Sequence, residues 1–332
     1  MTAPATDLQP PAGPHNPLAA TPLMAPRSVR RTSSIDVHFP EAGEPNVALC
    51  IRGRDLRVDD DAIRHELDSL QLDLRADVAA GRLDGFDPNS PAKALEGSGL
   101  RSGFRRDLAE RLPRLATARS LLYSVLEDVP GAFLVSGYAL VRNQFWPESP
   151  DTGREGAGLQ IGVCAGWEAG RTPHLTAEAT GTTPLPFGPP APALEADAAD
   201  GWHALPPLPL HAVRRRRVMD VWRDGSTLVG RAHFRDSYVE SAGETVMHEY
   251  ATDVVVKGDG VVGALTITPR VLPWAECPNA VASAQRVVGL GLSEIGDRVR
   301  ADFHGSATCT HLNSTLKTLA DIAALSLELR DE

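Results

Sequence analysis

The side chains with the richest coordination chemistry stand in the last third of the chain: His248, Cys277, Cys309 and His311. Thiolate sulfur and imidazole nitrogen are the donor set that suits zinc or iron. Cys277 precedes Pro278 at the start of a candidate helix, where unpaired amides and the helix dipole lower a thiol pKa. Cys309 and His311 form a Cys-Thr-His run at a second helix start. No Cys-x2-Cys pair exists, so the pattern is not a zinc ribbon, and any site is assembled from distant segments. Three of the four donors around a zinc or iron ion would leave a position open for water or a substrate oxygen, the arrangement of a metal-dependent hydrolase, hydratase or lyase. Glu276, which adjoins Cys277, and Glu249 are the candidate catalytic bases, with Asp253 a third. Closure of the site by all four donors gives instead a metal or iron–sulfur scaffold. Cysteines that are merely buried give a non-catalytic binding protein. Cys164 is a candidate fifth ligand or reactive thiol, against plain packing in a strand.

Other chemistries find no support. The chain has no GxxxxGK[ST] loop, no GxSxG elbow and no GxGxxG after a strand. Its 332 residues carry a formal charge of −10, against a nucleic-acid coat or a polybasic membrane anchor. The Arg214–Arg217 run reads as a solvated or ion-paired strand start rather than an anion site. Four cysteines in a chain of this length are not a secreted disulfide framework. No signal-peptide pattern opens the sequence, and Gly131–Val141, the longest apolar-rich stretch, is far short of a bilayer span. A cytoplasmic protein with a small-molecule substrate is the expectation, with no nucleic-acid and no membrane partner.

The elements that must hold these residues recur. Arg30-Arg31-x4-Asp36-Val37 is answered by Arg214-Arg215-x4-Asp220-Val221, Arg54-Asp55 by Arg235-Asp236, and His65-Glu66 by His248-Glu249. Gly97-x-Gly99-Leu100 and Ala116-Thr117-x3-Leu121 reappear, in order, from Gly289 and Ala307. In each half alternating apolar residues predict antiparallel strands, as in Tyr250–Val256, the turn Lys257–Gly260 and the return from Val261. Helices follow near Ser98–Arg111, Ala116–Leu126 and Pro278–Val288, then from Leu312 to Ala323. The fold expected is α+β, two copies of a sheet-plus-helices unit about a pseudo-twofold axis. The boundaries are a disordered leader over 1–28, a degenerate first repeat over 29–142, a Pro-rich connector over 143–213 and a second repeat over 214–332. Thr172–Pro209 should lack regular elements, because prolines remove backbone donors. The first repeat has Ala118 and Ser120 where the second has Cys309 and His311, so the working site belongs to the second.

Three motifs carry a family resemblance: Pro273-Trp274-x2-Cys277-Pro278-x-Ala280, Val288-Gly289-Leu290-x-Leu292 and Cys309-Thr310-His311-Leu312. The segment resembles the uncharacterised bacterial domain-of-unknown-function family twenty-eight eighty-nine, whose members end in Gly-Cys-Thr-His-Leu. Thr308 replaces that glycine here. The resemblance covers about Arg214–Leu325, and Arg30–Val141 in degenerate form; it implies a tandem version and brings no mechanism with it. A more distant likeness, to iron–sulfur scaffold proteins of the NifU type, implies architecture only.

Overall fold

The computed structural model describes residues 11–39, 46–143, 160–194 and 201–329. Eight antiparallel strands form one sheet: β1 (Ser28–His38), β2 (Asn46–Val58), β3 (Arg64–Asp77), β4 (Arg82–Phe86), β5 (Val213–Asp224), β6 (Thr227–Glu240), β7 (Gly243–Val256) and β8 (Val262–Val271). Their order is β4-β3-β2-β1-β5-β6-β7-β8. Two meanders therefore meet along β1 and β5, and the mixed helix and strand content is α+β. Helices follow each meander: α1 (Phe104–Arg111), α2 (Pro113–Ala118) and α3 (Leu121–Asn143) after the first, α4 (Thr172–Thr180) between the two, and α5 (Ile295–Asp302), α6 (Thr310–Thr318) and α7 (Asp321–Ser326) after the second. Predicted helix 278–288 is a 3-10 helix over Cys277–Val287. Predicted helix 116–126 is broken at Arg119, whose φ of 46° ends α2.

Two apolar cores lie under the helices, one centred on Ile35, Leu49, Phe104 and Val129, the other on Phe234, Tyr250, Trp274 and Leu312. Helix α3 is long and apolar enough to cross a bilayer, but 67% of its most apolar window is buried in the fold. It is a core helix, longer than the apolar stretch 131–141 suggests because Tyr123, Glu127 and Asp128 are buried with it.

The central strands are covered on both faces, so the charges they carry must find partners. Arg31 faces Asp55 across β1–β2 and Arg215 faces Asp236 across β5–β6, each pair joined by two hydrogen bonds. Across β1–β5, Arg30 binds Asp220 and Arg214 binds Asp36. All four residues Arg214–Arg217 are buried and paired, the last two with Glu244 and Asp128. The ion-paired reading of this run holds and the solvated one does not.

The face opposite the helices is wrapped by irregular, proline-rich chain. Arg235 donates to the carbonyls of Leu18 and Pro192, Arg30 to Pro22 and Arg214 to Pro206. Proline lacks an N–H but keeps its carbonyl, and buried guanidinium groups supply the donors these segments lack. The expectation of a disordered leader fails from residue 11 onward: Asn16 N–H bonds Arg270, and Leu272 N–H bonds Pro14. Residues 1–10 of that leader lie outside the described residues. The expectation that Thr172–Pro209 lacks regular structure fails at α4. Pro173 sits in its first turn, where no donor is needed, and Gly181 at φ 72° ends it.

Candidate metal centre

Asp236, His248 and His311 bring three donor atoms within 4.8 Å of one another. Asp236 lies on β6 and His248 opposite it on β7; His311 is in the first turn of α6, which packs over them. The two-residue hairpin at Glu240–Gly243 would by simple counting set Asp236 against Met247. A bulge between Asp236 and Ser237 moves the pairing on by one residue, so Asp236 faces His248. That shift brings His248 to the helix-covered face and leaves Glu249 on the other.

The geometry is that of donors gathered without hydrogen bonds between them. His311 Nε2 is 3.6 Å and His248 Nδ1 3.9 Å from Asp236 Oδ2, both beyond hydrogen-bond range. Both nitrogens are buried, and neither has a hydrogen-bond partner among the described residues. The imidazole rings stack with centroids 3.6 Å apart and planes 16° from parallel. Asp236 is wholly buried, while the histidine side chains keep 15% and 12% of their exposure, so the triad is reached from the histidine side.

Electrostatics keeps both rings neutral. Burial and the Arg215 guanidinium push His248 down to about 3. Burial, then His248, Arg215 and Arg217, hold His311 well below the usual histidine range. Neutral imidazole is the state that offers a lone pair to a cation. Burial raises the Asp236 carboxyl, against the pull of Arg215. Arg215 Nε and Nη2 each reach Asp236 at 2.8 Å, and Nη1 reaches Asp128 at 3.1 Å. Asp128, on α3, also accepts from Arg217 and from Ser314 of α6. Gly131 makes room for this: a Cβ there would stand 1.7 Å from Arg215 Nη1.

Of the four ligands expected from sequence, the structure joins His248 and His311 around a carboxylate, and places Cys309 beside them. Cys309 Sγ is 3.9 Å from His311 Nδ1. Cys277 belongs to a second cluster. Cys164 precedes the 3-10 turn Ala165–Trp167, Cys277 opens the 3-10 helix Cys277–Val287, and Cys309 follows the turn Gly305–Ala307. Gly166 lies between two of them, since a Cβ there would be 2.6 Å from Cys277 Sγ and 3.9 Å from Cys164 Sγ. Burial, then the Cys309, Cys277 and Cys164 thiols, push the Tyr250 hydroxyl well above its ordinary value. The expectation that a helix start activates Cys277 is overturned. Burial, then the neighbouring Cys309 and Cys164, push its thiol well above the ordinary value. Cys164 is likewise pushed up to about 11. Desolvation outweighs one terminal turn.

The proposed bases are engaged elsewhere. Glu249 takes Arg235 Nε at 2.5 Å, His233 at 3.2 Å and the Leu18 amide on the wrapped face, away from His248 because neighbours in a strand alternate. Burial would raise its carboxyl, but these partners hold it below the ordinary range. Glu276 Oε1 accepts from Thr172 N at 3.1 Å and Thr172 Oγ1 at 2.5 Å, which caps α4. His65, aligned with His248 in the sequence, bonds Asp59; the residue opposite Asp55 is Asp68. Asp236 was within reach of sequence reasoning as half of the Arg-Asp repeat marker, but nothing in the sequence marks it as a ligand.

No curated protein and no solved structure matches the chain. Residues 213–325, which carry Asp236, His248 and His311 as well as Cys277 and Cys309, match the family described as "Protein of unknown function (DUF2889)".

Proposed function

We propose that the second half is a metal-dependent enzyme of hydrolase, hydratase or lyase type, with a divalent zinc or iron ion held by Asp236, His248 and His311. The observation that carries this is the pair of buried, partnerless ring nitrogens within 4 Å of one buried carboxylate oxygen. Two histidines and a carboxylate are a donor set that leaves coordination positions open. Ligand atoms on one ion stand about 3.0–3.5 Å apart when each bond is about 2.1 Å, so separations of 3.6 and 3.9 Å close with small movements. The lone pairs lie in the ring planes, and near-parallel rings aim past a common point. Loading therefore turns at least one imidazole about χ2 and ends the stack. When bound, the ion supplies Lewis acidity to a small acyl or aromatic acid-type substrate. The chain's own part is to fix Asp236 through Arg215 and to keep both imidazoles neutral.

The first half reads as a decayed copy of the second. Reciprocal pairs support this: Arg30–Asp220 answers Arg214–Asp36 across the β1–β5 seam, and both β2–β3 and β6–β7 bulge just after the paired aspartate. At the corresponding positions the first half has Asp55 and Asp68 and no histidine.

A second reading, a metal or sulfur scaffold, is favoured by the convergence of Cys164, Cys277 and Cys309. Cobalt substitution separates the two. Asp/His ligation gives d–d bands without thiolate-to-cobalt charge transfer, whereas strong near-ultraviolet charge transfer lost in Cys277→Ser would replace the first reading by the second.

A further inference from the structure

The two halves exchange carboxylates. Asp128, on α3 of the first half, accepts from Arg215 Nη1 at 3.1 Å, and the same guanidinium holds Asp236. In return Asp321, on α7 of the second half, stands 3.5 Å from Nη1 of Arg31, whose other nitrogens hold Asp55. A serine supports each acid: Ser314 Oγ donates to Asp128 at 2.9 Å, and Ser124 Oγ to Asp321 at 2.7 Å. Each of these Arg–Asp pairs on the sheet is thus completed by an aspartate from the opposite half.

The exchange is not equal. In the first half it ends on Asp55, which has Asp68 opposite and no histidine. In the second it ends on Asp236, which has His248 opposite. A further guanidinium enters there: Arg217 gives Nε and Nη2 to Asp128 at 2.7 and 3.0 Å, where β1 has only Ser33 across from it. Without Asp128, two buried arginines would share one carboxylate, Asp236. An excess buried cation is costly, and it repels a second cation strongly where screening is weak. Burial favours a neutral Asp128, but Arg217 and Arg215 hold its carboxyl well below the ordinary range. Helix α3 is also shaped for the contact, because a Cβ at Gly131, three residues on, would stand 1.7 Å from Arg215 Nη1. Residues 213–325, which match the family, include Arg215, Arg217 and Asp236 but not Asp128.

We propose that Asp128 is a positioning residue of the metal centre, supplied by the half that has no such centre of its own. It takes the Arg217 fork, so that Asp236 answers to Arg215 alone and keeps a lone pair for the ion. It also braces Arg215 at the far nitrogen. This rests on the Asp236–His248–His311 site proposed above, and adds that the second half depends on the first for charge balance. The first half's contribution is this one carboxylate; Ala118 and Ser120 take no part in it.

The test is zinc affinity of the full chain, by competition with a chromophoric chelator at neutral pH, alongside thermal unfolding. Asp128→Asn should bind zinc at least about tenfold more weakly than the wild type, or about 1.4 kcal/mol. Asp321→Asn, the reciprocal change, should lower thermal stability and leave zinc affinity within about threefold of the wild type. Asp128→Asn combined with Arg217→Met removes a carboxylate and a guanidinium together. It keeps the buried charge balanced if the single variant fails to fold, and should recover affinity to within about threefold. A wild type that takes up no zinc removes the metal reading itself, and this proposal with it. A wild type that binds zinc while folded Asp128→Asn binds equally well overturns this proposal alone. So does equal weakening in Asp321→Asn, or a folded double variant that has lost the affinity.

Discussion

Replacing Arg215 by methionine should be among the most costly single changes in the fold, with a cost that depends on pH. The guanidinium is 1% exposed and makes three charge-assisted hydrogen bonds, two to Asp236 and one to Asp128. Asp128 keeps Arg217 and Ser314 after the change. Asp236 keeps only the two histidine nitrogens, both beyond hydrogen-bond distance. The loss therefore falls on one buried, unpaired carboxylate, which costs about 3–5 kcal/mol. Adding Asp236→Asn should return part of it, with a coupling energy of about 0.5–3 kcal/mol in the double-mutant cycle. The pH sign follows from the carboxyl. Burial already raises Asp236 while Arg215 lowers it, so removing Arg215 raises it further. A group whose folded pKa is raised favours folding when protonated, so the deficit of Arg215→Met should shrink as pH falls from 7 toward 5. Urea unfolding across that range, read as midpoint shifts at constant m, measures both effects. A loss below about 1 kcal/mol, or a deficit that grows on acidification, would refute the reasoning.

Three further outcomes are expected. Gly166→Ala drives a Cβ to 2.6 Å from Cys277 Sγ and 3.0 Å from Trp274, so it should cost about 1–3 kcal/mol in thermal unfolding; a neutral result would show that the cysteine cluster is loosely packed. His248, held down to about 3, should show neutral-tautomer nitrogen shifts at pH 5. Its depressed folded pKa makes stability fall as pH drops below 6.5 toward 3, because the unfolded chain takes the proton first; protonation of the folded ring near 6.5 would contradict the burial argument. Ser120→Ala removes the hydroxyl that accepts the Tyr123 amide at the start of α3 and should cost about 1 kcal/mol with metal uptake unchanged; impaired uptake would tie the first half to the site.

Strand alternation and turn chemistry made much of β3, β4, β7 and β8 legible, because a period of two and a glycine turn are local signals. The Arg-Asp markers were legible as a pattern, though not as the paired charges that let β1, β5 and β6 be covered on both faces. His248 and His311 were legible as donors by residue type. Asp236 was not, because its alignment with His248 depends on a one-residue bulge at Met247 that ordinary hairpin counting does not supply. The choice of Glu249 as base overlooked strand alternation, which puts it on the face opposite its neighbour His248. The packing of the leader was illegible for a different reason. Its carbonyls are satisfied by Arg30, eight residues on, and by Arg235, 217 residues on, and no local rule links a proline-rich segment to either arginine.

The most direct measurement of the central claim is metal content per chain, by elemental analysis after loading with zinc or iron(II) and removal of free ion, in the wild type and in Asp236→Asn, His248→Ala, His311→Ala, Cys277→Ser and Cys309→Ser. The account predicts one equivalent in the wild type, its loss in each of the first three variants and its retention in Cys277→Ser. One equivalent retained in Asp236→Asn but lost in Cys277→Ser would contradict it and move the centre to the thiols.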